Sequence, residues 1–328
     1  MEHFITEIRI ENVRHLKNIN IALNNQSRQH LILTGKNSSG KTSVLEKISK
    51  NLALLNLNLL TGYKGLDQIQ ALYALNKVLH FSYPDFGLVV IYNNGDELTD
   101  LYKRGDFITA FFNATRSSND IVPAQGVEKM KLPTTFEITQ SPARDMIKYM
   151  VHLKTQQSFA KNENDIQNER NIKEWFERLE NALRGLLDDN SITLKYDYRN
   201  YNFVILQKNR EPSALNKLSD GYSSILQIFS ELILRMDQNW LLKNQLSDYN
   251  KEGVVLIDEI ETHLHIELQR KILPFLTKFF PRLQFIVGTH SPYVLTSISN
   301  AVIFDLDRQV ALTDLSEYSA EDIANGFF

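Results

Sequence analysis

Apolar and polar positions change period several times along the chain. Phe4, Thr6, Ile8 and Ile10 alternate with Glu7, Arg9 and Glu11, and Ile19, Ile21 and Leu23 alternate again. A period of two residues predicts two short strands over Phe4–Leu23. Leu31–Leu33 is a continuous apolar run that ends in a polar stretch with glycine, the form of a buried parallel strand. Helical spacing follows over Ser43–Leu55 and Leu66–Leu79. Leu88–Tyr92 and Leu98–Tyr102 flank Asn93-Asn94-Gly95-Asp96, which predicts a hairpin. Phe107–Phe112 is a further apolar run. Thr115–Pro133, mixed in Ser, Asn, Pro and Gly, reads as a loop.

The pattern then becomes helical and polar. Ile147, Met150, Val151 and Leu153, then Ile172, Trp175, Phe176, Leu179 and Leu183, predict two helices joined near Lys161–Asp165. Ile192–Tyr198 and Tyr201–Leu206 read as a second hairpin around Arg199-Asn200. From Leu218 the order is helix, strand (Val254–Ile257), helix (Ile266–Phe280), strand (Phe285–Val287), short helix and strand (Ala301–Phe304). Such alternation predicts an α/β fold with a parallel sheet. Repeats, low-complexity tracts and long heptad arrays are absent from the sequence.

Composition narrows the class. The chain has 328 residues, 43% hydrophobic and 23% charged, enough to bury a large core. It has no cysteine, so disulfides, thiolate metal sites and thiol nucleophiles are excluded, and a cytoplasmic location is expected. The net charge of -3 is not that of a polycation. No apolar run approaches the ~18 residues needed to span a bilayer, so no membrane partner is expected.

Gly35-Lys36-Asn37-Ser38-Ser39-Gly40-Lys41-Thr42 fits G-x-x-x-x-G-K-[ST] between a strand and a helix, the context of a phosphate-binding loop. Its glycines let backbone N–H groups turn around phosphate oxygens, and the next helix adds its positive end. Lys41 is expected to reach the β- and γ-phosphates and Thr42 to hold Mg²⁺. Gly35, Asn37, Ser38, Ser39, Gly40, Lys41, Thr42 and Ser43 are the candidate ATP contacts. Val254–Ile257 delivers Asp258 and Glu259 to a strand's carboxyl end, where open α/β sheets bind ligands. Asp258 suits the metal, and Glu259 suits the general base that polarises water. Ser219-Asp220-Gly221 reads as a turn and helix N-cap that offers a second anion site. His290 follows a strand in Gly288-Thr289-His290-Ser291-Pro292.

In this order, the phosphate loop, Leu218-Ser219-Asp220-Gly221-Tyr222-Ser223-Ser224, Asp258-Glu259 and Thr289-His290-Ser291 resemble the ATP-binding-cassette (ABC) ATPases. Ile257–His265, Phe280–Pro292 and the opening Ile8–Arg14 are similar to the soluble SMC/RecF/OLD branch, which includes ATPases of Septu and retron systems. The resemblance covers about residues 1–55 and 214–305. It implies a P-loop NTPase fold, an ABC-ATPase head with an N-terminal antiparallel β part and a helical insertion. Residues 1–328 would form one head, with nucleotide-binding halves at 1–115 and 190–328 and the insertion at 143–187. It implies an Mg²⁺-dependent ATPase that dimerises head to tail around two ATP molecules. Lys41, Thr42, Asp258, Glu259 and His290 of one head would meet the γ-phosphate, with Lys41, Glu259 and His290 catalytic. Ser219 and Gly221 of the other head would close the site.

The dimer would gate a partner, a nuclease or DNA, in anti-phage defence or genome maintenance. The alternative is the ATPase portion of an OLD-type nuclease whose Toprim domain is absent from this chain. Tyr222 stands where transporter signatures have a second glycine, which argues against a transporter. Gln125 and Asn113–Arg116 are the glutamine-loop candidates. Glu261, His263 and His265 are expected to shape the loop after Glu259 rather than to bind metal. Asp305-Leu306-Asp307 is expected to be a turn rather than a Toprim D-x-D pair. In the polar helices, Lys148, Lys154, Lys161, Arg170 and Lys173 are balanced by Glu163, Asp165, Glu169, Glu174 and Glu177, which predicts a solvated helical pair.

Overall fold

The computed structural model describes residues 2–56, 87–95, 97–115, 121–238, 249–312 and 315. The helical segment expected at Leu66–Leu79 lies outside them. Two strands pair as the alternation predicts, β1 (Ile5–Val13) and β2 (Leu16–Ala22), in antiparallel register with Ile8 opposite Ile21 and Ile10 opposite Ile19. The second edge of β1 is taken by β4 (Leu88–Tyr92), also antiparallel.

Here the structure corrects an expectation. Leu88–Tyr92 has no hairpin partner in Leu98–Tyr102, because Leu98–Lys103 is a helix, α2. Asn93 instead ties the end of β4 to the N-terminus. Its Oδ1 accepts the Phe4 N–H at 2.9 Å and its Nδ2 donates to the Glu2 carbonyl at 2.7 Å. Leu98 and Tyr102, both buried, share one face at a spacing of four, which strand and helix satisfy equally.

The main sheet has six strands in the order β12-β11-β3-β10-β9-β5. These are β3 (His30–Thr34), β5 (Phe107–Phe112), β9 (Glu252–Ile257), β10 (Leu283–Gly288), β11 (Ala301–Asp305) and β12 (Val310–Leu312). All neighbours are parallel except the β11–β12 hairpin, and β12 was not expected from the pattern.

The central strands alternate between two cores. Leu31, Leu33, Val254, Leu256 and Ile286 face one, with α1 (Lys41–Ala53) and the antiparallel sheet. Ile32, Val255, Ile257, Phe285 and Val287 face the other. That second core takes in α3 (Met146–Asn162), α4 (Ile166–Leu187), α5 (Asp220–Asp237) and α6 (Ile266–Phe279). Continuous apolar runs are what a sheet covered on both faces requires. Gln284, fully buried on β10, joins the two sheets: its Oε1 accepts the Ile5 N–H at 2.7 Å and its Nε2 donates to the Ile5 carbonyl at 2.9 Å.

α4 lies as the predicted solvated helix with one face buried, on Ile172, Trp175, Phe176 and Leu179, but α3 differs: from Met146 to Leu153 every residue except Lys148 is buried, so its first half belongs to the core. Outward charges pair within the segment, as in Lys148 with Asp145 and Arg170 with Glu174. A small sheet follows, β6 (Thr193–Asp197), β7 (Asn202–Leu206) and β8 (Ser213–Ala214), the first two being the expected hairpin. No helix among the described residues is long and apolar enough to cross a membrane.

Candidate functional site

The sheet order sets β3, β10 and β9 side by side, so three loops meet at their carboxyl ends. The first runs from Gly35 to Gly40 and enters α1. Gly35 (φ 134°) and Gly40 (φ 102°) take backbone angles closed to most side chains, and Ser38 is also left-handed at φ 71°. This curls the loop around the Lys41 ammonium, which donates to the carbonyls of Gly35 at 2.7 Å and Lys36 at 3.0 Å. Burial pushes the Lys41 ammonium down from the usual lysine range, and the nearby carboxylates of Glu261, Asp258, Asp307 and Glu259 pull it back up.

Thr42, exposed on the first turn of α1, donates its hydroxyl to Asp258 Oδ2 at 2.7 Å. Asp258 is fully buried at the end of β9, its N–H held by the Phe112 carbonyl at 2.8 Å. Burial pushes its carboxyl up from the usual range, against the opposing hydroxyl of Thr42. A hydroxyl and a carboxylate in contact are hard oxygen ligands, so Thr42 and Asp258 fit Mg²⁺. Gly288, at the end of β10, keeps room for this pair, since a Cβ there would sit 2.9 Å from Asp258 Oδ1 and 3.1 Å from Leu45 Cδ1.

Past Asp258 the chain turns sharply. Glu259 has φ 44° and His263 φ 65°, unusual angles for these residue types. Strain of this kind collects at functional sites. Glu259 remains half-buried beside Thr262, while Glu261 turns inward and is 8% exposed. Glu261 accepts from Thr289 Oγ1 at 2.7 Å and from the His290 N–H at 2.8 Å, and its Oε1 lies 3.0 Å from His290 Nδ1. The His290 side chain is 48% exposed. Glu261 therefore belongs to the loop, as expected. No group of three His, Asp or Glu poised for a metal occurs among the described residues.

Ser219 precedes α5, is exposed, and does not cap its own helix with its hydroxyl, so the expected N-cap bond is not made. Gly221 is buried against the loop after Asp258: a Cβ there would lie 3.0 Å from the His263 carbonyl. Asp305 forms the expected turn, accepting from the N–H groups of Asp307 and Arg308. Asp307 Oδ2 accepts the Lys36 N–H at 2.5 Å, so it braces the phosphate loop. Of the glutamine-loop candidates, Asn113 directly follows Phe112 beside Asp258, Gln125 is exposed in an irregular stretch, and Arg116 lies outside the described residues.

Three residues of the site come to light only in its geometry: Gly288 beside Asp258, Asp307 on the Lys36 N–H, and Leu16 over Gly40. Leu16 opens β2 and would be 2.9 Å from a Cβ on Gly40, so the antiparallel sheet closes over the phosphate loop. Gly288 and Asp307 lie in stretches the sequence singles out, Gly288-Thr289-His290 and Asp305-Leu306-Asp307, whereas Leu16 carries no local signal.

Residues 151–296 match the family model described as "AAA domain, putative AbiEii toxin, Type IV TA system". The match includes Ser219, Asp258, Glu259 and His290 but not the phosphate loop. Among curated proteins, the chain is 38% identical over 101 residues to the "Retron Ec83 probable ATPase" of Escherichia coli, covering 31% of this chain and 18% of that protein. It is 38% identical over 109 residues to the "Retron Vc95 probable ATPase" of Vibrio cholerae serotype O1 biovar El Tor, covering 32% and 21%. It is 24% identical over 306 residues to the Septu protein PtuA of Bacillus mycoides (strain KBAB4), covering 90% and 39%. The chain thus spans well under half the length of these relatives. Similar solved structures include an SMC head bound to the C-winged helix domain of ScpA, at TM-score 0.46 and 13% identity over 96% of this chain and 95% of that one. A further one is the SMC head domain from Thermotoga maritima, at TM-score 0.40 and 12% identity over 92% and 94%. The phosphate loop at the end of β3 and the acidic pair at the end of β9 lie together as a P-loop nucleotide site requires, and over the stretches given above the chain is similar to the retron ATPases and the Septu protein PtuA.

Proposed function

We propose that the chain binds and hydrolyses ATP with Mg²⁺, and that two copies close head to tail over two ATP molecules. The observation that carries this reading is the meeting of Lys41, the Thr42–Asp258 pair, Glu259 and His290 at the ends of three adjacent strands. Lys41 and the backbone of Gly35, Asn37, Ser38, Ser39, Gly40 and Ser43 hold the phosphates. Thr42 and Asp258 would hold Mg²⁺, which would supply charge neutralisation at the phosphates. Glu259 takes the proton of the attacking water. His290, at the end of β10, would meet the γ-phosphate.

Ser219 and Gly221 act on the partner's nucleotide. The exposed Ser219 hydroxyl, unused by its own helix, and the positive end of α5 suit an anion arriving from outside. Residues 1–328 act as one head, with halves at 1–115 and 190–328 and the helical pair of 143–187 inserted between them. Hydrolysis removes the γ-phosphate that joins the heads, so ATP times the dimer. Similarity to the retron ATPases and PtuA supports a role in anti-phage defence, or in genome maintenance; in this reading the dimer gates a nuclease or DNA in the cytoplasm.

Glu259→Gln with ATP and Mg²⁺ tests the reading. Light scattering should show a stable dimer with little phosphate release. A monomer at saturating ATP would overturn the sandwich.

A further inference from the structure

The loop after Asp258 and the loop after β10 are clasped at two points. Glu261 is the first clasp, accepting from the Thr289 hydroxyl and the His290 N–H, with His290 Nδ1 3.0 Å from its carboxylate. The second is Gln269 on α6. Its Nε2 donates to the Leu264 carbonyl at 2.8 Å and its Oε1 accepts the Ser291 hydroxyl at 2.6 Å. Ser291 in turn donates its N–H to Thr289 Oγ1 at 3.0 Å. Both residues on either side of the half-exposed His290 ring are therefore fixed.

A bare nitrogen lone pair 3.0 Å from a carboxylate oxygen is repelled, whereas an N–H there is attracted, so the contact favours a proton on Nδ1. We propose that Glu261 is the positioning residue of His290: it fixes the ring's orientation and selects the tautomer with hydrogen on Nδ1, leaving Nε2 free to serve the nucleotide. A residue that orients a reacting imidazole through its second nitrogen acts on rate without touching substrate. Its effect on rate rests on the proposed role of His290 in ATP hydrolysis. Its effect on the ring does not.

The test uses the full chain labelled with ¹⁵N-histidine, the His290 signal being assigned by its loss in His290→Ala. In the wild type it should show the Nδ1–H tautomer. Glu261→Ala should move it toward the Nε2–H form, whereas Glu261→Gln, whose amide oxygen still accepts, should retain Nδ1–H. Glu261→Leu, close in volume and unable to accept, replaces the alanine variant where that one does not fold. An unchanged His290 tautomer in the non-accepting variant overturns the proposal.

Turnover supplies the second arm. Glu261→Ala should lower kcat about tenfold, with KM for ATP within about twofold, the scale expected of a residue acting through another. It should add nothing in a His290→Ala background. An equal further loss in that background means that Glu261 acts independently and overturns the proposal. Wild-type turnover by His290→Ala itself would overturn the role of His290 in hydrolysis, while the tautomer result still decides the positioning.

Discussion

The Thr42 hydroxyl and the Asp258 carboxylate meet at 2.7 Å although 216 positions separate them in the chain. One opens the helix after the phosphate loop and the other ends β9, with β10 between their strands. The contact exists because parallel strands bring all their carboxyl ends to one edge. It places a buried carboxyl where a divalent cation would neutralise it.

Asp258 therefore costs stability in the nucleotide-free protein. The folded chain holds the Asp258 proton more tightly than the unfolded chain does, since burial pushes its carboxyl up. Its contribution is thus favourable below the ordinary carboxylate range and is lost as pH rises through the raised folded value. Asp258→Asn should melt higher than wild type at neutral pH without nucleotide, with the gain fading at acid pH. Melting curves of both proteins across that range check this. Equal melting at neutral pH would mean that the carboxyl is not strained by burial.

Lys41 should carry much of the affinity for nucleotide, because its ammonium already lies inside the loop against the Gly35 and Lys36 carbonyls. Lys41→Ala should weaken ATP binding by ~100-fold or more, the range for truncating one partner of a buried charged contact. Calorimetric titration with ATP measures it. Retained affinity would refute the phosphate-loop assignment.

How much of this site could be read beforehand follows from the range of each interaction. The phosphate loop is contiguous, and so are Asp258 and Glu259 at the end of an apolar run. Local order therefore carries both. The helix Leu98–Lys103 stands where the pattern suggests a strand because its two anchors, Leu98 and Tyr102, sit four apart, a spacing that strand and helix share. Gln284 reaching Ile5 and Asp307 reaching the Lys36 N–H depend on strand order, which no local pattern encodes. Glu261 was legible as part of the loop after Glu259, but its bond to His290 needs β9 and β10 to be neighbours.

Gly288 gives a prediction that only the packed structure supports. Its backbone needs no special angle; what it lacks is room, between Asp258 Oδ1 and Leu45 Cδ1. Gly288→Ala should destabilise the fold by ~1–3 kcal/mol, the usual cost of overpacking. It should also displace Asp258 from Thr42, so that more Mg²⁺ is needed for ATP turnover. A thermal melt and a Mg²⁺ titration of the ATPase rate check the two effects. A variant with wild-type Mg²⁺ dependence would show that Asp258 tolerates the methyl group in place.

Ser219 and Gly221 should separate the inner role of α5 from its outer one. Gly221 packs against the His263 carbonyl and Leu268 within the same chain. Gly221→Ala should therefore lower the melting temperature of the nucleotide-free protein, at a cost of ~1–3 kcal/mol. Ser219 is exposed and makes no cap bond. Ser219→Ala should leave that melting temperature within ~0.5 kcal/mol of wild type, as exposed substitutions do. Both variants should weaken the ATP-dependent dimer of a Glu259→Gln background, measured by light scattering. If Ser219→Ala dimerises as well as its parent while Gly221→Ala does not, the dimer requires the shape of the 258–265 loop rather than a serine hydroxyl on the partner's nucleotide.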